Sequence, residues 1–336
     1  MSNSLPENAT SPIPIDLDWR AIPAGDPYYA PISDHPPRKT LLLAAALFLV
    51  TLCSCLVAGT HFATAYADQQ AVSWEKFVAA FKLFYTHPVS LTAGLPFALT
   101  LMTILLAHEL GHFFACRHHH IRSSYPYFIP FPSLIGTFGA FILIRSPIRT
   151  TRALFDVGAS GPFVGFVFAV PALIYGVLHS QVIYGLADPT KSDVVFGVPL
   201  LLRALAAILH PGIAPENLLL HPIGRAAWVG LFATSLNLLP AGQLDGGHIL
   251  RSISPRAHRF FSLLLPFFLV LLGVYSSSVG QRYSIWYVWA AILFGLRFLR
   301  VAPIYDPLPL DPNRRFGVFL ALLIFLLCFM PIPILD

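Results

Sequence analysis

Long stretches of apolar residues constrain this chain more than any other feature. Seven of them fall at roughly 41–60, 94–116, 154–178, 224–244, 259–279, 283–299 and 316–335, close to the length of about 20 apolar residues that spans a bilayer. In hydrocarbon every backbone N–H and C=O must be satisfied within the protein, so such runs fold as helices. The expected fold class is an all-α polytopic membrane protein of about seven transmembrane helices. Composition agrees: 56% of residues are hydrophobic and 11% are charged, against about 25% charged in a soluble domain. With the N-terminus placed inside, fifteen of the 21 Lys and Arg fall on the cytoplasmic side, which orients the chain with its N-terminus cytoplasmic and its C-terminus outside. The net positive charge therefore reads as a topology signal. Lipid is the expected partner and nucleic acid is not. Four cysteines set in or at the ends of apolar runs form no disulfide framework.

Residues 1–38 are rich in Pro, Ser, Asp and Asn and lack apolar periodicity, the pattern of a disordered cytoplasmic tail. Its acids Glu7, Asp16, Asp18, Asp26 and Asp34 argue against an organelle import sequence, and no apolar signal core follows the start. The expected location is a bacterial cytoplasmic membrane. Residues 39–336 are expected to form one transmembrane domain. Within it, the segment 124–144 is apolar enough to enter a bilayer, but Pro126, Pro130, Pro132, Gly136 and Gly139 forbid one regular helix. It is expected either as a re-entrant loop or hairpin, or as an interfacial loop lying flat on the membrane. The external connection 179–223 is expected to hold a short amphipathic helix around 198–209.

The second apolar run carries His108-Glu109-Leu110-Gly111-His112, and Glu109 is the one formal charge between Gly94 and Cys116. Burying an acid at that depth costs about 2.5–3.5 kcal/mol on insertion scales, so it calls for a function or a partner. On a helix, His108 and His112 project about 40° apart on one face and about 6 Å apart along the axis. That spacing suits two ligands of a single tetrahedral zinc, one per chain, with Glu109 turned towards the same region as general base. A third protein ligand is needed. His118 has the spacing of a longer zinc-protease pattern, but Ala115 stands where that pattern has the Gly that turns the chain back. Continued helix would rotate His118 about 240° from His112. Asp245, in Asn237-Leu238-Leu239-Pro240-Ala241-Gly242-Gln243-Leu244-Asp245-Gly246-Gly247, ends the fourth run on the cytoplasmic side, at a depth similar to the His pair.

Together these residues resemble the site-2 protease family of intramembrane zinc metalloproteases, the M50-like peptidases. Both family motifs, His-Glu-x-x-His and Asn-x-x-Pro-x-x-x-x-Asp-Gly, match at His108, Glu109, His112, Asn237, Pro240, Asp245 and Gly246. The likeness covers about residues 94–250, taken as the catalytic core, and includes Gly136-Thr137-Phe138-Gly139-Ala140, Arg145-Ser146-Pro147, Arg152-Ala153-Leu154-Phe155-Asp156 and Ala159-Ser160-Gly161-Pro162. These segments are most similar to the branch with cyanobacterial and plastid members, without a PDZ insertion. The resemblance implies Asp245 as third zinc ligand, Glu109 as catalytic base, and Asn237 with Gly136, Thr137, Phe138 and Gly139 as substrate-binding residues. It also implies hydrolysis of peptide bonds in membrane-spanning protein substrates. Gly158, Gly161 and Gly165 are expected to serve close helix packing. Two rivals are a membrane metal carrier or transporter, which would show internal repeats that this chain lacks, and an inactive protease-like scaffold.

Overall fold

The computed structural model describes residues 38–186, 194–278, 285–296 and 308–335. The expected tail, apart from its last residue, lies outside the described residues.

The chain begins with α1 (Arg38–Ala67), then α2 (Trp74–Thr86), a helix that the run-length reading passed over. Glu75, Lys76 and Lys82 interrupt its apolar positions, and Ser73 caps it by accepting from the Lys76 amide. Caps of this kind satisfy one of the orphan N–H groups at a helix start. A 3₁₀ stretch (Pro88–Gly94) leads into α3 (Leu95–His118), which carries His108, Glu109 and His112. Next come β1 (Tyr127–Pro130) and β2 (Thr137–Phe141), paired antiparallel with Tyr127 opposite Phe141 and Pro130 opposite Thr137. The segment 124–144 is therefore a hairpin, and it packs against α1. Gly136, with φ of +85°, makes the approach possible, since a Cβ there would stand 2.7 Å from the Cys55 Cα.

Helix α4 (Thr151–Leu178) is capped by Thr150, whose hydroxyl accepts from the Ala153 amide at 3.1 Å. It is the hub of the bundle and packs against α3 most extensively. The connection between α4 and α6 holds β3 (Gln181–Val182), β4 (Val195–Phe196), the expected short helix α5 (Leu200–Leu209), and β5 (Leu218–Leu219), with β3 paired to β5. Then follow α6 (Pro222–Asn237), α7 (Asp245–Ile253), α8 (Pro255–Ser278), α9 (Ile285–Leu296), α10 (Pro312–Cys328) and β6 (Ile334–Leu335), which pairs with β4. The all-α expectation thus needs the addition of three two-stranded ribbons among the described residues.

This is a polytopic helical membrane protein. Four stretches are long and apolar enough to cross a membrane: α1, Pro88–His118, α4 and α8. Helices α6, α9 and α10, at 16, 12 and 17 residues, correspond to three of the seven expected spans but are shorter. The fourth run, expected as 224–244, stops being helical at Asn237 for a local reason. Pro240 has no amide to donate, and Gly242 sits at φ +59°. The chain turns there and restarts as α7.

Small residues set how closely these helices cross. A Cβ on Gly176 of α4 would stand 2.0 Å from the Gly224 Cα of α6, and one on Gly230 of α6 would meet the Ile104 side chain of α3 at 2.8 Å. Without a hydrophobic drive between helices in lipid, close backbone approach is what makes such packing favourable. The core contains Phe97, Leu101, Leu173, Trp228 and Leu231, all fully buried. On α8, by contrast, Phe260, Phe267, Phe268 and Leu271 are exposed, as a lipid-facing surface requires.

Candidate metal centre and active site

Side chains from two helices converge on one point. From α3, the helical spacing points His108 and His112 the same way, and their rings sit edge to face with centroids 4.9 Å apart. Asp245 enters from the first position of α7, after the 238–244 turn. Its Oδ2 lies 3.2 Å from His108 Nε2 and its Oδ1 lies 3.3 Å from His112 Nε2. His108, His112 and Glu109 are buried, and the Asp245 side chain is 14% exposed. No other group of three His, Cys, Asp or Glu side chains among the described residues brings ligand atoms this close, within 4.8 Å of one another.

The donor set fits a zinc ion. Ligands at about 2.0–2.1 Å from a tetrahedral centre stand about 3.3 Å from each other, close to both Asp–His separations. Two imidazole nitrogens and one carboxylate also match the composition of catalytic zinc sites that keep a fourth position open. The His112 tautomer is set from behind. Its Nδ1–H donates to the Val157 carbonyl of α4 at 2.6 Å, which leaves the Nε2 lone pair facing Asp245.

The turn that delivers Asp245 explains the two glycines after it. A Cβ on Gly246 would stand 2.0 Å from the Leu238 carbonyl oxygen, and one on Gly247 would stand 2.6 Å from that of Ala241. Helix α7 can therefore start tight against the turn only with glycine at both places. Helix α8 clamps the same turn, with Ser262 Oγ accepting from the Gly242 amide at 2.9 Å and His258 Nε2 donating to the Gly242 carbonyl at 2.9 Å. At the end of α6, Asn237 Nδ2 lies 3.2 Å from His108 Nε2. Glu109 receives a hydrogen bond from the Ile142 backbone, just past β2. The hairpin therefore reaches the site through its exit strand.

His118 is not part of this cluster, in keeping with its rotation away from the pair. Its neighbour His119 bonds Asp156 of α4 at 2.7 Å, and His120 takes φ +53° as the chain leaves α3. In the hairpin, Thr137 Oγ1 donates to the Ile129 carbonyl at 2.8 Å and accepts from the Gly139 amide at 2.9 Å, so it braces the turn. Phe138 is 58% exposed and lies against Phe131, and Gly139, at φ +105°, has open space where a Cβ would be.

The profile of Peptidase family M50 matches residues 96–274, which hold every side chain of the cluster. The chain belongs to that family. Among curated proteins it is similar to a probable zinc metalloprotease EGY1, chloroplastic, of Oryza sativa subsp. japonica, with 28% identity over 73% of this chain and 43% of the relative. A probable zinc metalloprotease EGY2, chloroplastic, of Oryza sativa subsp. indica is 31% identical over 70% of this chain and 42% of the relative. The Arabidopsis thaliana EGY1 protein is 35% identical over 46% of this chain and 29% of its own length. The chain thus spans less than half the length of these relatives. No solved structure matches. The four long apolar stretches support a membrane protein, while relatives named chloroplastic lend nothing to the expected bacterial cytoplasmic membrane.

Two features of this M50 site were not readable from motifs. The Val157 carbonyl and the Ile142 backbone act through main-chain atoms, which every residue type offers. Only the fold says which ones face the cluster.

Proposed function

We propose that this M50 protein is an intramembrane zinc metalloprotease that hydrolyses peptide bonds in membrane-spanning protein substrates. The observation that carries the reading is the convergence of His108, His112 and Asp245, with Glu109 beside them, inside a helical membrane protein. His108, His112 and Asp245 would hold the zinc, whose chemistry is to lower the pKa of water to about 7 and to polarise a carbonyl. Glu109 follows His108 directly in α3 and is buried, so it is the base that takes the proton from the attacking water and later delivers it to the leaving amine. The Ile142 hydrogen bond holds its carboxylate in place. Asn237, next to His108, orients the site or the substrate carbonyl.

A membrane-spanning substrate hides its carbonyls in its own helix and must be extended before attack. Among the described residues no third strand pairs with the hairpin of β1 and β2, and an extended peptide could add to β2 as a further strand. In this role Gly136 and Thr137 shape the hairpin, while Phe138 and Gly139 face the substrate. Seven spans with the N-terminus cytoplasmic and α6, α9 and α10 as the short crossings complete the proposal.

The deciding experiment is zinc content per chain in detergent-purified protein, together with cleavage of a reconstituted single-span substrate. The wild type is expected to hold one zinc and cleave. Asp245→Ala is expected to lose the metal, and Glu109→Gln to keep it and lose cleavage. Zinc retained in full by Asp245→Ala, or cleavage by Glu109→Gln, would overturn the assignment.

A further inference from the structure

We infer that Gly161 and Gly165 of α4 are positioning residues of the metal centre, holding the two imidazoles in place by the side chains they lack. The inference rests on reading the cluster as a zinc site. The His pair at i and i+4 on α3 lies against a Gly pair at i and i+4 on α4, so each ring covers one glycine. A Cβ on Gly161 would stand 2.1 Å from His112 Nε2, 2.4 Å from Cε1 and 2.6 Å from Cδ2. At Gly165 it would stand 3.0 Å from His108 Nδ1 and 3.1 Å from His108 Cβ.

The His112 ring has no other place to go. One nitrogen is tied to the Val157 carbonyl, four residues before Gly161 and so on the same face of α4. The other faces Asp245 at 3.3 Å. A methyl group at Gly161 occupies the space of the ligand nitrogen itself, so the ring must give up the carbonyl, the carboxylate or both. Gly165 is milder, because a contact near 3 Å can be relieved by a shift of a few tenths of an ångström.

These contacts differ in kind from the other close glycines of the bundle. Gly176, on the same helix, meets the backbone of Gly224, and Gly111 of α3 meets the Ser160 carbonyl. Enlarging those positions pushes helix from helix. Among the glycines of the described residues, Gly161 and Gly165 are the ones whose Cβ would meet a ligand imidazole. The expected packing role of this glycine row is therefore too general. At two of its positions the partner is the metal-binding side chain.

The test compares Gly161→Ala, Gly165→Ala and Gly176→Ala in the full chain. It uses zinc affinity, the visible spectrum of the cobalt-loaded protein and thermal unfolding of the metal-free protein. Gly161→Ala is expected to lose zinc affinity by 100-fold or more and to lose or alter the cobalt bands, with unfolding close to wild type. Gly165→Ala is expected to bind about 10-fold more weakly, with shifted bands, in the range typical of residues that orient metal ligands. Gly176→Ala is expected to unfold earlier while its bands stay as in wild type. Wild-type affinity and spectrum in Gly161→Ala would overturn the inference, as would equal loss of zinc in Gly161→Ala and Gly176→Ala. Should Gly161→Ala fail to fold, unchanged bands in Gly165→Ala would overturn it. A wild type that binds no zinc would instead refute the metal site itself.

Discussion

At the scale of single residues, the site is a small number of polar atoms held at fixed separations inside apolar surroundings. Asn237 illustrates how much a neighbour can matter. Its Nδ2 lies 3.2 Å from His108 Nε2, so it borders the metal without belonging to the His–His–Asp set. Asn237→Ala is expected to keep close to one zinc per chain and to lower the single-turnover cleavage rate by about 10- to 100-fold, the usual cost of removing a group that supports a metal ligand. Loss of zinc in that variant would show that the amide braces His108 rather than the substrate. The motif residues were legible in the chain because the α-helical repeat is local: positions 108 and 112 share a face wherever the helix goes. Gly161 and Gly165 were legible only as small residues. Nothing in their own neighbourhood says that an imidazole, and not another helix, will cover them.

At the scale of elements, two contacts hold helix ends in place, one near the ends of α3, α4 and α10 and one at the start of α6, the end of that helix away from Asn237. Asp156 of α4 accepts from Arg314 of α10 through both oxygens, at 2.8 and 2.5 Å, and from His119 at the end of α3 at 2.7 Å. Arg314 is also paired with Asp311, the N-cap of α10. One carboxylate thus ties three helix ends together. Asp156→Asn is expected to lower stability by about 1.5–3 kcal/mol, the scale of hydrogen bonds to charged groups, and to make α10 more accessible to protease. Limited proteolysis with denaturant unfolding in detergent measures both.

The other contact is the start of α6, where His221 Nδ1 accepts from the Ile223 amide at 3.2 Å. Tyr66 of α1, Tyr175 of α4 and His179, which follows α4 as its C-cap, face that imidazole, and Arg225 follows one turn along α6. Burial, and then the nearby His179, hold the His221 pKa below its ordinary value of about 6.5. A histidine with a lowered folded pKa contributes stability that is present above the unfolded value and is lost as pH falls through the folded value. As pH falls below the ordinary histidine value of about 6.5, the first turn of α6 is accordingly expected to exchange its amide hydrogens faster. His221→Asn, which can cap without titrating, is expected to remove that pH dependence.

At the scale of the whole molecule, the bundle depends on glycine crossings where larger side chains would hold helices apart. The closest is Gly176 against Gly224, between α4 and α6. Gly176→Ala is expected to cost about 1–3 kcal/mol, as overpacking of a filled core does, read as earlier unfolding of the purified protein. The hairpin is the second global device. It is packed on α1 through Gly136 and reaches Glu109 through Ile142, so α1 and the active site share one support.

What the amino-acid order determined by itself was the membrane class, the identity of the long spans and the pairing of His108 with His112, whereas the fourth run read as 224–244 ends at Asn237. The first three follow from helical periodicity and backbone hydrogen bonding, which act over a few residues. A hairpin was one of the forms expected for 124–144, but its seat on α1 was not legible, since the contact of Ser54 with Phe131 joins residues 77 apart in the chain. The tertiary structure alone decided the distances from Asp245 to the two histidines, the backbone groups that set His112 and Glu109, and the glycines that lie under the imidazoles. Asp245 is 133 residues from His112, and a carbonyl or a missing side chain has no pattern of its own. Such contacts arise only when packing brings distant helices to one depth, because hydrogen bonds and van der Waals exclusion depend on separation in space and not on separation along the chain.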